Sequence, residues 1–178
     1  MNHFDDERLY NKADTDYMKL CRKIENNPKI SIMKKDIIDK LPESPDCKNK
    51  SDLEKVMKKN GNLIVDTMNK NQVVQSMISD YSSAYNSTWG KYMKDTNQEF
   101  KQMKPIKLEF NEIHDKDPNV LIYDIIPSTK YEQEVRITYS ELVRIVAYII
   151  TRSIKNCTID ATVHPNTEKG CIYVEIEK

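Results

Sequence analysis

Apolar residues in this chain recur at helical spacing up to Lys104-Pro105 and alternate at strand spacing beyond it. A helix buries one stripe of side chains and a strand every second one, so this change of period demands a helical part followed by a part that contains a sheet. With 178 residues the chain can hold one domain of ordinary size, or a compact domain with a helical appendage. The pattern divides it into a helical segment over 1–104 and an α+β module over 105–178.

In the helical segment, Leu9, Ala13, Tyr17, Leu20 and Ile24 predict a first helix from Asp5 to Asn26, stopped by Pro28. Met33, Ile37 and Ile38 predict a second over Ile32 to Leu41, broken by Pro42-Glu-Ser-Pro45 into a polar, protease-sensitive loop. Ser51-Asp-Leu-Glu54 has the form of a capping box and predicts a helix start. Gly61 either closes that helix or is tolerated inside it. Beyond it Ile64, Met68, Val74, Ile78, Tyr81, Tyr85, Trp89 and Tyr92 predict one long helix over 62–101, with a kink near Gly90.

After Pro105, Ile106, Leu108 and Phe110 alternate with charge and predict a strand, His114 to Asn119 a turn, and Val120 to Ile126 a second strand, apolar apart from Asp124. Tyr131 to Ile137 alternates in the same way and predicts a further strand. A second capping box, Thr138-Tyr-Ser-Glu141, opens a helix at Tyr139 whose Leu142, Ile145, Val146, Ile149, Ile150 and Ile154 form a broad apolar face, that of a central core helix. Cys157 to Val163 and Cys171 to Ile176 predict the last two strands. The expected class is α+β: a helical N-terminal half, then a small antiparallel sheet of order ββαββ or βββαββ packed on one amphipathic helix.

Chemistry is sparse. The cysteines at 21, 47, 157 and 171 stand singly with no CxxC, and Cys157 and Cys171 read as small buried hydrophobes on strands. His3, His114 and His164 are far apart in sequence and do not make a metal set. The run Asp115 to Asn119 begins like a calcium loop but has no glycine at its sixth position and Ile126 where a bidentate glutamate belongs. Gly61, Gly90 and Gly170 are isolated, so no phosphate-cradling loop can be built, and no G-x-S-x-G elbow occurs. The expectation is a non-enzymatic protein with no catalytic, cofactor-binding or metal residues and no small-molecule ligand.

Formal net charge is zero, with 28 basic and 28 acidic side chains, which removes the bulk attraction that drives non-specific binding to nucleic acid. A local patch at 48–70, with Lys55, Lys58 and Lys59 at its centre, remains as a nucleic-acid surface for a regulatory protein, although Asp52, Glu54 and Asp66 dilute it. The aromatic residues Tyr81, Tyr85, Trp89 and Tyr92 invite a base-stacking reading, but no Lys or Arg occurs between Asn71 and Gly90 to meet phosphates. They read instead as a seam for protein contact, within the chain or with a partner or second copy. The acidic start without an apolar core and the absence of any run of 18 apolar residues predict no membrane insertion and a cytoplasmic place. Asn49, Asn86 and Asn156, which begin N-x-[ST] triplets, are then not glycosylated. A composition rich in Asn, Lys, Asp and Ile fits an AT-biased genome such as that of a phage, a large DNA virus or a low-GC bacterium. In that setting the expected role is a structural or assembly component, placed in the virion if the source is viral.

Overall fold

The computed structural model describes residues 3–43 and 46–177, with the backbone alone for His3 and Phe4. The first helix, α1, spans His3–Glu25, with Asp5 and Asp6 in its first turn and Arg22 and Lys23 in its last, each sign where the helix dipole favours it. Pro28 does more than stop α1: with φ at −63° it is the N-cap of α2, Lys29–Lys40. Ser44 and Pro45, in the loop expected to be protease-sensitive, lie outside the described residues. Helix α3, Lys50–Lys70, begins two residues earlier than its capping box predicts, because Asn49 is the cap and accepts from the Asp52 amide at 2.9 Å.

The single helix expected over 62–101 is two. Asn71 ends α3, and its side chain accepts from the amides of Val73 and Val74 at 2.8 and 3.2 Å to start α4, Gln72–Asp95. The step from Met68 to Val74 in the apolar stripe is six residues rather than three or four, and that gap is where the axis turns. Helix α4 runs on through Gly90 and closes at Asn97, whose φ is +58°. The Asn97 amide donates to Lys94 O at 3.2 Å and the Gln98 amide to Met93 O at 2.7 Å, the paired bonds of a Schellman motif.

Residues 103–110 are extended, with Met103, Ile106, Leu108 and Phe110 buried, but the predicted strand is displaced: the ladder begins only at β1, Asn111–Ile113. Two asparagine side chains take the place of a neighbouring strand. Asn86 donates to Met103 O at 3.0 Å and accepts from Met103 N at 2.7 Å. Asn69 does the same to Leu108, at 2.8 and 3.0 Å. A carboxamide presents one donor and one acceptor side by side, as a peptide unit does, so each clamp satisfies a buried backbone pair.

Strand β2, Val120–Asp124, pairs with β1, and the sheet order is β1-β2-β4-β3, antiparallel throughout, with β3 at Ala161–Asn166 and β4 at Cys171–Ile176. Cys157 and Ile159, expected on a strand, precede β3 in a loop. Tyr131 to Ile137 is not a strand either. Residues Gln133–Thr138 form a short helix, α5, in which Ile137 is exposed and Thr138 is buried. The order is therefore ββ, two helices, ββ. The predicted second capping box does not form: Thr138 closes α5, its hydroxyl donating to Glu134 O at 2.8 Å, and buried Tyr139 is the N-cap of α6, Ser140–Ser153.

Helix α6 has the central place its apolar face requires. Leu142, Val143, Ile145, Val146, Ala147, Ile149 and Ile150 are all buried, with α2 and α3 against one side and β3 and β4 against the other. Leu121 opposite Val174, and Tyr123 opposite Ile172, form the inner face of the sheet. One apolar cluster runs unbroken from α2, α3 and α4 through α6 to the sheet.

Gly61 lies in mid-helix, and a Cβ built on it would overlap the ring of Phe110, itself stacked on Tyr123 at 4.5 Å. Gly61→Ala should gain about 1 kcal/mol in helix propensity yet lose more by overpacking, for a net destabilisation of about 1–2 kcal/mol in urea unfolding. Adding Phe110→Leu should recover part of that loss, which a double-mutant cycle reads directly.

Candidate functional site along the aromatic seam

The stripe on α4 faces α1, which supplies its own tyrosines at the matching heights. Tyr81, 1% exposed, is core: its ring meets that of Tyr139 edge-on at 6.2 Å, and its hydroxyl donates to Glu25 at 3.1 Å. Tyr85 is half-buried between Tyr17, edge-on at 6.2 Å, and Phe100, stacked at 5.7 Å. Trp89 meets Tyr10 at 5.1 Å, Tyr17 at 6.2 Å and Tyr92 at 5.8 Å. Burial falls along the seam, so that Tyr10 at its far end is 49% exposed. The Tyr17 hydroxyl donates to Thr138 at 3.2 Å, which ties α1 to α5 as well as to α4. The chain thus satisfies most of its own aromatic stripe; of Tyr81, Tyr85, Trp89 and Tyr92, Tyr85 lines a hollow against Phe100 and Tyr131, and Tyr92 lines the groove between α1 and α4.

That groove lies beside the seam, between α1 and α4. One hollow of about 440 Å³ is lined by Leu9, Lys12, Ala13, Thr88, Lys91 and Tyr92 among others, and a second of about 330 Å³ by Leu20, Ile24, Ser83 and Ala84; Ser87 lines both. Small side chains occupy the middle of the α4 wall, at Ser83, Ala84, Ser87 and Thr88, and leave the space that larger ones would fill, with Asp80 at one end and Lys91, Tyr92 and Asp95 at the other. Charges at the two ends are mixed: Arg8, Lys12, Lys91, Asp16 and Asp95 at one, Lys23 and Asp80 at the other.

Lys55, Lys58 and Lys59 are exposed on α3, close in sequence to Glu54, which Lys50 approaches at 3.9 Å, and to exposed Asp66. His114 follows edge strand β1 while His164 lies on the opposite edge strand β3, where it approaches Glu175 at 3.5 Å, so the two histidines do not converge. No group of three His, Cys, Asp or Glu side chains able to hold a metal ion occurs among the described residues.

One polar cluster went unread in the sequence. Asp124, the odd carboxylate of an apolar strand, is 7% exposed and accepts from Cys171 Sγ at 3.0 Å across the β2–β4 pair. Arg136 of α5 donates to Lys169 O at 3.3 Å nearby, and its Nε is buried with no hydrogen-bond partner. Gly170, with φ at +70° and no room for a Cβ beside Ile126 O, closes the turn over this cluster and accepts from both Ile125 and Ile126 amides. Burial first, then the hydrogen bond to Asp124, pushes the Cys171 thiol up to about 12. A thiol held protonated in this way is a hydrogen-bond donor at neutral pH and not a nucleophile. The signal in the sequence was Asp124 itself, since a lone carboxylate in a buried strand needs a partner.

Burial also raises the hydroxyl pKa values of Tyr17, Tyr81 and Tyr123, and of Tyr139 to about 12. Because the folded state holds these protons more tightly than the unfolded chain, their contribution to stability is complete below about pH 10 and is lost as pH rises through the folded values. In a titration followed near 295 nm, these four tyrosines should ionise only together with unfolding. Iodoacetamide on the native protein should label Cys157 first, since Cys21, Cys47 and Cys171 are buried and burial leads the causes that raise each of their thiol pKa values. Compared with models of known families, with curated proteins and with solved structures, the chain has no match.

Proposed function

We propose that this is a non-catalytic assembly protein that pairs with a second copy of itself through the groove between α1 and α4. The observation that supports the reading is the groove: its α1 wall, from Leu9 to Ile24, extends roughly 22 Å at helical rise, long enough to seat about four turns of a packed helix. A partner helix laid there would meet small residues along α4 and aliphatic ones along α1, the surface into which helix ridges pack. The mixed ends favour self-pairing. A two-fold axis near Ser87 sets each end against the other end of the second copy, so that Arg8 and Lys91 approach the second copy's Asp80, and Asp95 approaches its Lys23. Tyr92 is the member of the aromatic stripe that touches the partner in this arrangement; Tyr85 and Trp89 support α1 from behind.

Light scattering on a size-exclusion column across a hundredfold range of concentration tests this. A dimer is expected, together with its loss in Ser87→Glu, a change at an exposed position that should leave the melting temperature nearly unchanged. Asp95→Lys should weaken the dimer by about tenfold, and adding Lys23→Asp should restore it. A chain that stays monomeric at every concentration would overturn self-pairing.

A further inference from the structure

Helices α2 and α6 bring four cations into one cleft with an exposed tyrosine. Ser31, Lys34, Lys35 and Ile38 fall on one face of α2, while Tyr148, Arg152 and Lys155 follow at helical spacing along α6 and the turn after it. Together they line an open cleft of about 390 Å³, and no carboxylate contributes to its walls. Lys34 Nζ lies 4.6 Å from the centre of the Tyr148 ring and the Arg152 guanidinium 5.4 Å from it, with Arg152 also donating to the Tyr148 hydroxyl at 3.3 Å. None of the four cations forms an ion pair with a described carboxylate. Asp36 and Asp39 of α2 lie outside the cleft lining. The dipole at the end of α6 accounts for Arg152 and Lys155 one at a time. It does not account for two lysines from another helix lining the same cleft, one of them over the ring, an arrangement in which like charges repel and which an anion would relieve.

We infer that the cleft between α2 and α6 binds the backbone of a single-stranded nucleic acid, with phosphates on Lys34, Lys35, Arg152 and Lys155 and one unpaired base on the face of Tyr148. Aromatic stacking interleaved with cations is the combination that single-strand binding requires. The tyrosine is 42% exposed, and the flexible Lys34 side chain can leave the ring for a phosphate when a base arrives. A duplex hides its base faces and would leave the ring unused. A lipid surface is flat, whereas this ring stands in a cleft between two helices whose floor includes half-buried Ile38. The site is separate from the α1–α4 groove, and it replaces Lys55, Lys58 and Lys59 of α3 as the basic surface with the better geometry.

Fluorescence anisotropy with a labelled oligothymidylate of about twelve nucleotides tests it, since single-strand sites span about 4–16. With four phosphates neutralised, log affinity should fall against log salt with a slope of about −2.8, or about fiftyfold between 50 and 200 mM. Lys34→Gln with Arg152→Gln should halve that slope to about −1.4. Tyr148→Leu should weaken binding by about tenfold, while Tyr148→Phe keeps the stacking and the affinity. Lys58→Gln with Lys59→Gln should change nothing. Lys35→Gln with Lys155→Gln, both at exposed positions, serves as a second pair should the first lower the melting temperature. The inference is overturned if the oligonucleotide does not bind at 50 mM salt, if the cleft variants leave affinity and slope unchanged, if a duplex of the same length binds as tightly, or if vesicles rich in phosphatidylserine bind in its place.

Discussion

The two halves of this fold are held together by an extended segment that belongs to neither. Residues 103–110 cross from the end of α4 to the first strand, and the backbone of Met103 and Leu108 is satisfied by Asn86 of α4 and Asn69 of α3. Each carboxamide replaces a strand neighbour with two hydrogen bonds, and a buried peptide unit left without them would cost about 1–3 kcal/mol per unsatisfied group. The segment then delivers Phe110 onto the bare backbone of Gly61 and against Tyr123, so a helix of the first half and a strand of the second share one ring. The clamps thus add a direct tie between the start of the sheet and α3 and α4 to the packing that α6 provides.

Given that connection, α6 becomes the axis of the molecule. Its buried residues occupy more than one side because it is covered twice, by α2 and α3 and by the sheet. Doubly covered, it has little polar surface, and what remains carries Arg144, Tyr148, Thr151 and Arg152. The charged groups of α6 and the cations of α2 are neighbours for that reason: the strip that the sheet and α3 leave open is the strip beside α2.

Much of this was legible in the residues. The change of period at Pro105, the apolar face of α6 and the apolar runs of β2 and β4 each depend on burial along one element, which spacing records. Several of the misreadings involve side chains that act on the backbone. Asn71 breaks a stripe that apolar periodicity alone carries across it; Asn69 and Asn86 turn a strand-like pattern into an unpaired extended segment; Thr138 binds back to Glu134 rather than opening α6. Polar side chains near a backbone can cap, clamp or turn it, and sequence order does not say which. The candidate sites were less legible still. The aromatic stripe was visible, but its coverage by Tyr10 and Tyr17 was not, and Lys34 and Arg152 are joined only by the packing of α2 on α6.

The position of β4 in the sheet has a bearing on biosynthesis. It follows β1, β2 and β3 in the chain, yet it lies between β2 and β3 and supplies the ladder to both. On the ribosome, β3 and the free edge of β2 therefore emerge unpaired, and the sheet's cover over α6 stays incomplete until β4 has cleared the exit tunnel. Such intermediates expose apolar surface and open strand edges during the interval in which nascent chains meet one another. In this protein the helices can dock early, but closure of the sheet waits for Cys171 to Ile176, so this short strand sets the moment at which the open edges of β2 and β3 are lost.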